Sequence, residues 1–155
     1  MDSAVRSEMR NLIKKTKSLI ISAVNSDGVP MIKGVTKLGN DDLNALYFVT
    51  SPKSEFAACY KQNPIASVFL FDDDKSVPYP SKDEKYYSLS LTGKMEAVAD
   101  PHAKQRFLTD YLAPFYPKGV NDENYYLMRF VVQSGKYYRG VTDNSLSFSF
   151  NLEGL

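Results

Sequence analysis

The chain has 155 residues, of which 43% are hydrophobic and 24% are charged, and its formal net charge is +1. The length is typical of one domain, and the composition excludes a disordered or fibrous chain. A nearly neutral charge argues against nucleic acid or anionic lipid as partners, and no apolar run reaches the ~20 residues needed to cross a bilayer.

Side chains with strong chemistry are scarce, because the chain has one Cys and one His. Cys59 cannot form an internal disulfide, which favours the cytoplasm, and a Cys/His zinc site is excluded, so we expect no metal. His102 follows Asp100-Pro101 and is interpreted as a solvated or capping residue. Aromatic residues are abundant instead, with 11 Tyr and 9 Phe.

The first half of the chain predicts one helix followed by strands. Apolar residues at helical spacing indicate an amphipathic helix at about residues 3–17, and SLIISAV predicts a strand at 18–24. Asp27-Gly28 predicts a hairpin into a strand at 29–37, and a second turn at 39–42 leads to a strand at 43–50. A short helix at 52–61, capped by Ser51 or Ser54, precedes a buried strand at 65–71.

The second half continues in the same way. An acidic stretch at 72–74 and a loop at 77–83 precede a long strand at 86–98, in which Gly93 predicts a bulge or a close approach. A helix at 101–112 and a turn-rich segment at 114–124 follow. Strands are then expected at 125–132 and 136–141, separated by a turn at Ser134-Gly135, with a last short strand at 147–150.

These elements favour a mainly β protein, a six-stranded antiparallel split β-barrel with peripheral helices. No linker or repeat divides the chain, so we expect one domain over residues 1–155. Its parts are an N-terminal helix at about 3–17, a barrel at about 18–141 and a tail at 142–155.

The segment FVTSPKS, residues 48–54, is the first candidate for a binding site. Thr50, Ser51 and Ser54 bring hydroxyl groups to the start of a predicted helix, beside the ammonium group of Lys53. Unpaired N–H groups at a helix N-terminus, together with hydroxyls and one cation, suit a phosphate group. An ordinary Ser-capped helix would give the same pattern.

The preceding strand is the second candidate. Lys33 is followed by Gly34, where a flat ligand could lie close to the backbone and bond its N–H and C=O groups. The alternative is a Gly at a barrel bend and a Lys that faces solvent.

In this order, the motifs GVPMIKGV, LYFVTSPKS and NPIASVFLFD resemble the pyridoxamine 5′-phosphate oxidase-like, FMN-binding split-barrel family, in particular its general stress protein 26-type members. The stretches LTGKMEAVAD, FYPKGVNDENYYLMRF and GKYYRG also match in type and order. The resemblance covers residues 19–139 and implies a homodimer of six-stranded split barrels, with FMN bound at the dimer interface.

The resemblance also implies which residues bind the cofactor. The flavin ring and ribityl chain would border Met31, Ile32, Lys33 and Gly34, and the phosphate would contact the segment that contains Val49, Thr50, Ser51, Lys53 and Ser54. Tyr138 and Arg139 of the partner subunit are the nearest candidates to complete the site. The cofactor would supply the redox chemistry of an oxidoreductase-like protein, so no side chain is assigned as a catalytic acid or base, and the substrate is not identified.

One departure from the family pattern bears on FMN. Family members commonly carry Lys or Arg just after the serine that matches Ser54, whereas this chain has Glu55-Phe56. A carboxylate would repel a bound phosphate, and Lys53 or Lys33 would have to supply the positive charge. The alternatives are therefore a non-catalytic protein that binds flavin or haem, and a dimeric scaffold whose cofactor site has decayed.

Overall fold

A computed structural model describes residues 2–73, 86–140 and 146–152. Within these ranges three helices are formed: α1 (Ser3–Lys15), α2 (Glu55–Gln62) and α3 (Pro101–Phe107). The same described residues form seven strands: β1 (Ser18–Val24), β2 (Pro30–Asp41), β3 (Ala45–Thr50), β4 (Ile65–Asp73), β5 (Tyr86–Ala97), β6 (Tyr126–Arg139) and β7 (Leu146–Asn151). Two short 3₁₀ turns, Ala113–Phe115 and Gly119–Asn121, connect α3 to β6.

The first six strands form a closed antiparallel barrel, as the sequence predicts. Their order is β3-β2-β1-β4-β5-β6, and pairing of β3 with β6 closes the ring. β6 is long enough to have two neighbours on one edge: residues 126–131 pair with β3, and residues 134–139 pair with β7. β7 therefore lies outside the ring as an extension of the sheet.

Helix α1 packs on the barrel core through one apolar face. Val5, Met9, Leu12 and Ile13 are at most 3% exposed and join the main core cluster. Burial of each such side chain contributes about 1.5–3 kcal/mol. Polar contacts also hold the helix: the guanidinium of Arg10 donates to Asp42 at 2.6 and 2.8 Å, and Lys37 donates to the carbonyl of Ile13.

A second, smaller core lies beneath α3. It contains Ala45, Tyr47, Phe107, Tyr125 and Leu127. The rings of Tyr47 and Phe107 are 4.6 Å apart, and the hydroxyl of Tyr125 donates to the carbonyl of Lys104. Asp100 caps α3 by accepting from the amide of Ala103 at 3.1 Å, which confirms that Asp100-Pro101 opens a helix.

Several predicted boundaries are wrong. α1 ends at Lys15 rather than 17, α2 begins at Glu55 with Pro52 outside it, and α3 ends at Phe107 rather than 112. β2 continues to Asp41 instead of turning at residue 39, and β4 includes two of the acidic residues that were assigned to a loop. The predicted loop at 77–83 and the predicted strand end at 141 lie outside the described residues.

The predicted turn at Ser134-Gly135 is also wrong, because β6 runs through both residues without interruption. A Cβ atom at Gly135 would lie 2.6 Å from the ring of Phe150 and 2.8 Å from Leu91. Glycine is required at this position of the strand because the neighbouring side chains leave no room for a Cβ atom. At Gly93 the predicted close approach is confirmed, since a Cβ atom would lie 2.0 Å from the carbonyl oxygen of Val131. The register shifts beside it, and the extra residue of that bulge is Gln133 in β6.

Among the described residues, no helix combines the length and the apolar character that a membrane span requires.

Candidate functional site

Three predicted site residues meet where β2, the end of β3 and the start of α2 converge. The ammonium of Lys33 donates to the hydroxyl of Thr50 at 2.9 Å, and the hydroxyls of Thr50 and Ser54 are 3.3 Å apart. Thr50 is 9% exposed, whereas Lys33 and Ser54 are half-buried. We call Lys33, Thr50 and Ser54 the cradle.

The start of α2 provides donors beside the cradle. Ser54 is the N-cap residue and its hydroxyl accepts from the amide of Ala57 at 3.1 Å, so of the two predicted capping residues it is Ser54 that caps. The amides of Glu55 and Phe56 belong to the first turn, where a helix offers no internal acceptor. Partial positive charge at this helix end favours an anion.

The cradle has one ammonium group, and it comes from β2. Burial lowers the pKa of Lys33, because a partly desolvated ammonium loses hydration. Lys53, the other candidate, is exposed, and among the described residues its ammonium forms no hydrogen bond or ion pair. Its backbone amide donates to the hydroxyl of Ser51 at 3.2 Å, which shapes the turn that leads into α2.

The two residues that depart from the family pattern lie in different environments. Glu55 is exposed, so its carboxylate is free to remain in solvent rather than face the cradle. Phe56 is 9% exposed, and its ring lies 4.6 Å from the ammonium of Lys33 and 6.2 Å from the ring of Tyr60. No local sequence pattern predicts this contact, because β3 separates β2 from α2 along the chain.

Four other predicted site residues on β2 and β3 lie outside the cradle, and of these Met31 shares the inner face of β2 with Lys33. Met31 packs against the main core, and Val49 packs against the core beneath α3. Ile32 and Gly34 alternate with Lys33 along β2 and are exposed on the outer face of the sheet. A Cβ atom at Gly34 would meet nothing within 4 Å, so the backbone is open to a ligand there.

Tyr138 and Arg139 are not brought to the cradle within one chain. They lie at the far end of β6, whose other end pairs with Thr50. The guanidinium of Arg139 donates to Glu8 at 2.7 Å, and the ammonium of Lys136 lies 5.3 Å from the ring of Tyr138. Their contribution to a site across a dimer stays a prediction.

An exposed apolar face on β1, β2 and β4 is a feature that sequence reasoning missed. Ile32 is 72% exposed, and register places Ile20 opposite both Gly34 and Phe69. The rings of Phe69 and Phe71 are 5.9 Å apart. We call Ile20, Ile32, Phe69 and Phe71 the outer apolar face. The signal was present in SLIISAV and IASVFLF, since strands that are apolar on both faces are usually covered on both sides.

The closed barrel and the cradle at the start of α2 define a split-barrel protein. The sequence matches the profile of the pyridoxamine 5′-phosphate oxidase family over residues 5–138, so the chain belongs to that family. The resemblance expected from the sequence is confirmed at this level. Comparison with curated proteins found no match.

Solved structures share the fold at low sequence identity. A protein from Clostridium acetobutylicum related to general stress protein 26 of B. subtilis is 24% identical, with a TM-score of 0.79 over 99% of this chain and 98% of that chain. General stress protein 26 from Bacillus anthracis is 20% identical, with a TM-score of 0.66 over 93% and 98%. A heme binding protein from Mycobacterium smegmatis is 17% identical, with a TM-score of 0.71 over 99% of this chain and 60% of that chain.

Proposed function

We propose that this protein binds FMN at the interface of a homodimer and acts as an oxidoreductase-like flavoprotein. The observation that carries the proposal is the cradle: the ammonium of Lys33 and the hydroxyls of Thr50 and Ser54 meet beside the N-terminal turn of α2. A phosphate monoester dianion suits one ammonium group, hydroxyl groups and first-turn amides. Because Glu55 is exposed, its carboxylate can stay in solvent, where water screens the repulsion that its sequence position suggested.

The flavin ring would lie against the outer side of β2. Gly34 leaves its backbone uncovered there, and Ile32 adds apolar surface next to it. Ring-edge contacts would then come from backbone N–H and C=O groups around Ile32, Lys33 and Gly34. The phosphate would reach the cradle past the edge of the strand, because Lys33 and Gly34 face opposite sides of it.

A second copy of the chain is the proposed cover of the outer apolar face. The face consists of four large apolar side chains on three adjacent strands. Association that buries them would gain free energy of about 25 cal/mol per Å² of apolar surface removed from water. The face adjoins Gly34, because Ile20 lies opposite Gly34 on β1 and Ile32 precedes it on β2, so the same association would cover the flavin. Tyr138 and Arg139 of the partner subunit remain the proposed contributors from the other chain.

The bound cofactor would supply hydride or electron transfer, while the chain supplies position and electrostatics. Lys33 would hold the phosphate, and burial of the ring at the dimer interface would exclude water from one flavin face. No described side chain is proposed as a general acid or base.

Spectroscopy of the purified protein, with ligand identification by mass, tests the proposal. We expect a yellow protein that releases FMN, or an apoprotein whose melting temperature rises with FMN. A Soret band would favour haem, the cofactor named for the M. smegmatis structure. A colourless protein whose melting temperature responds to neither FMN nor FAD would contradict flavin binding and favour the decayed scaffold.

A further inference from the structure

The geometry points to Phe56 as a positioning residue that holds the ammonium of Lys33 at the phosphate end of the site. This inference rests on the proposed FMN site and extends it to a residue whose side chain would not touch the ligand.

The first step concerns the position of the ammonium. Nζ of Lys33 lies 4.6 Å from the centre of the Phe56 ring and 2.9 Å from the hydroxyl of Thr50. A cation within about 6 Å of a ring face is attracted by the negative charge of that face. The ammonium is therefore held between two groups that belong to β3 and α2.

The second step concerns the rigidity of the ring. Phe56 is 9% exposed, sits in the first turn of α2 and packs edge-on against Tyr60 at 6.2 Å. The hydroxyl of Tyr60 in turn donates to the carbonyl of Ser22 in β1 at 2.8 Å. The ring is thus fixed to the barrel, whereas a free lysine side chain has many rotamers to lose on binding an anion.

The third step concerns charge. Burial disfavours the protonated form of Lys33, and the aromatic face offsets part of this cost. No carboxylate of the described residues forms an ion pair with this ammonium. A carboxylate in the same place would neutralise the site and repel phosphate. An aromatic ring keeps the ammonium charged and leaves its positive charge available to an anion.

A double-mutant cycle tests the inference in the full-length protein, with FMN and riboflavin as probes in separate titrations. We expect Phe56→Leu to weaken FMN binding by about threefold to thirtyfold, given the usual strength of such contacts. Riboflavin, which lacks the phosphate, should bind equally well. In a Lys33→Met background, Phe56→Leu should change FMN affinity by less than twofold, because the ammonium is no longer present.

Two further variants separate positioning from folding. Phe56→Tyr keeps the ring and should bind FMN within about twofold of the wild type, whereas Phe56→Met fills most of the volume without a ring and should resemble Phe56→Leu. Equal losses for FMN and riboflavin, or the same loss with and without Lys33, would overturn the role of Phe56 while leaving FMN binding intact. If the wild-type protein binds no FMN, the proposed function fails as well.

Discussion

The ammonium of Lys33 donates to the hydroxyl of Thr50 across 2.9 Å, and this bond joins the first part of β2 to the last residue of β3. The two residues are 17 positions apart in the sequence. Because the bond lies beside the cap of α2, it places the cationic group of the cradle at the helix end.

Lys33→Met should therefore weaken the binding of FMN and leave riboflavin binding unchanged. Loss of a charged hydrogen bond costs about 1.5–3 kcal/mol, or about tenfold to a hundredfold in affinity. Flavin fluorescence titrations with both ligands measure the effect. Lys53→Met is the matched control, since its ammonium is exposed, and a larger effect at Lys53 than at Lys33 would contradict the assignment of the cradle.

Gly34→Val should block the flavin ring rather than the phosphate. A Cβ atom at Gly34 meets nothing within 4 Å in the free chain, and Val is a good strand residue, so the melting temperature should not fall. FMN and riboflavin should both bind at least about tenfold more weakly, because the isopropyl group occupies the uncovered backbone. Thr36→Val, two residues along the same face, is the control, and unchanged binding of both flavins to Gly34→Val would show that the ring lies elsewhere.

Ile32→Glu should prevent association of two copies. The change places a charge at the most exposed residue of the outer apolar face, where burial of an unpaired carboxylate costs several kcal/mol. Light scattering coupled to size-exclusion chromatography would report a monomer for the variant and a dimer for the wild type. Phe115→Glu is a control of similar exposure, 65% against 72%, on the segment between α3 and β6. A dimer that persists in Ile32→Glu would place the interface on another surface.

Met9→Ala should destabilise the fold by about 2–5 kcal/mol, the usual cost of truncating a fully buried side chain. Met9 is completely buried between α1 and the barrel. Urea denaturation followed by circular dichroism measures the loss, with the exposed Asn11→Ala on the same helix as control. Similar midpoints for the two variants would mean that α1 contributes little to the barrel.

Acid should weaken the attachment of α1. Hydrogen bonding from Arg10 is the main cause that lowers the pKa of Asp42. A carboxyl group whose pKa is lower in the folded state stabilises the folded state when the pH is above the ordinary pKa of the group, near 3.9. This stabilisation is lost as the pH falls through the lower pKa of the folded state. Both side chains are about half exposed, so the effect should be small.

The comparison that isolates this effect uses Arg10→Met. Between pH 6 and pH 2.5, the urea midpoint of the wild type should fall more steeply than that of Arg10→Met. Lys14→Met, on the exposed side of the same helix, should retain the wild-type slope. Parallel pH profiles for wild type and Arg10→Met would show that the ion pair has no role in stability.

Local sequence patterns were sufficient to predict the strands with a regular apolar pattern and the helices with a capping residue. β1 occupies residues 18–24 as SLIISAV indicates, and α2 is capped by Ser54, one of the two predicted capping residues. The wrong turn predictions at Gly39 and Gly135 have one cause. Each of these glycines lies within a strand, and a glycine is needed there because an aromatic ring fills the space that a Cβ atom would take. The ring is that of Phe107 at Gly39 and that of Phe150 at Gly135. From the local sequence alone, a glycine that makes room for a distant side chain cannot be distinguished from a glycine that forms a turn.

The candidate site shows the same limit. The contact between the hydroxyls of Thr50 and Ser54 follows from their spacing, because one residue ends a strand and the other begins a helix. The family resemblance predicted that Lys33 lies near them. The ring of Phe56 beneath Lys33 depends on how α2 crosses the barrel, which no local pattern specifies. The outer apolar face likewise became evident only from the register of β1, β2 and β4.

Closure of the ring between β3 and β6 has a consequence for synthesis of the chain. Residues 45–50 of β3 cannot pair with residues 126–131 of β6 until that part of the chain has been synthesised. A nascent chain that ends at α3 therefore has one unpaired strand edge on β3 and another on β5. Unpaired strand edges are templates for association with other chains. The interval before β6 emerges is therefore the stage at which this protein is most exposed to aggregation, and its contacts between distant segments favour slow folding.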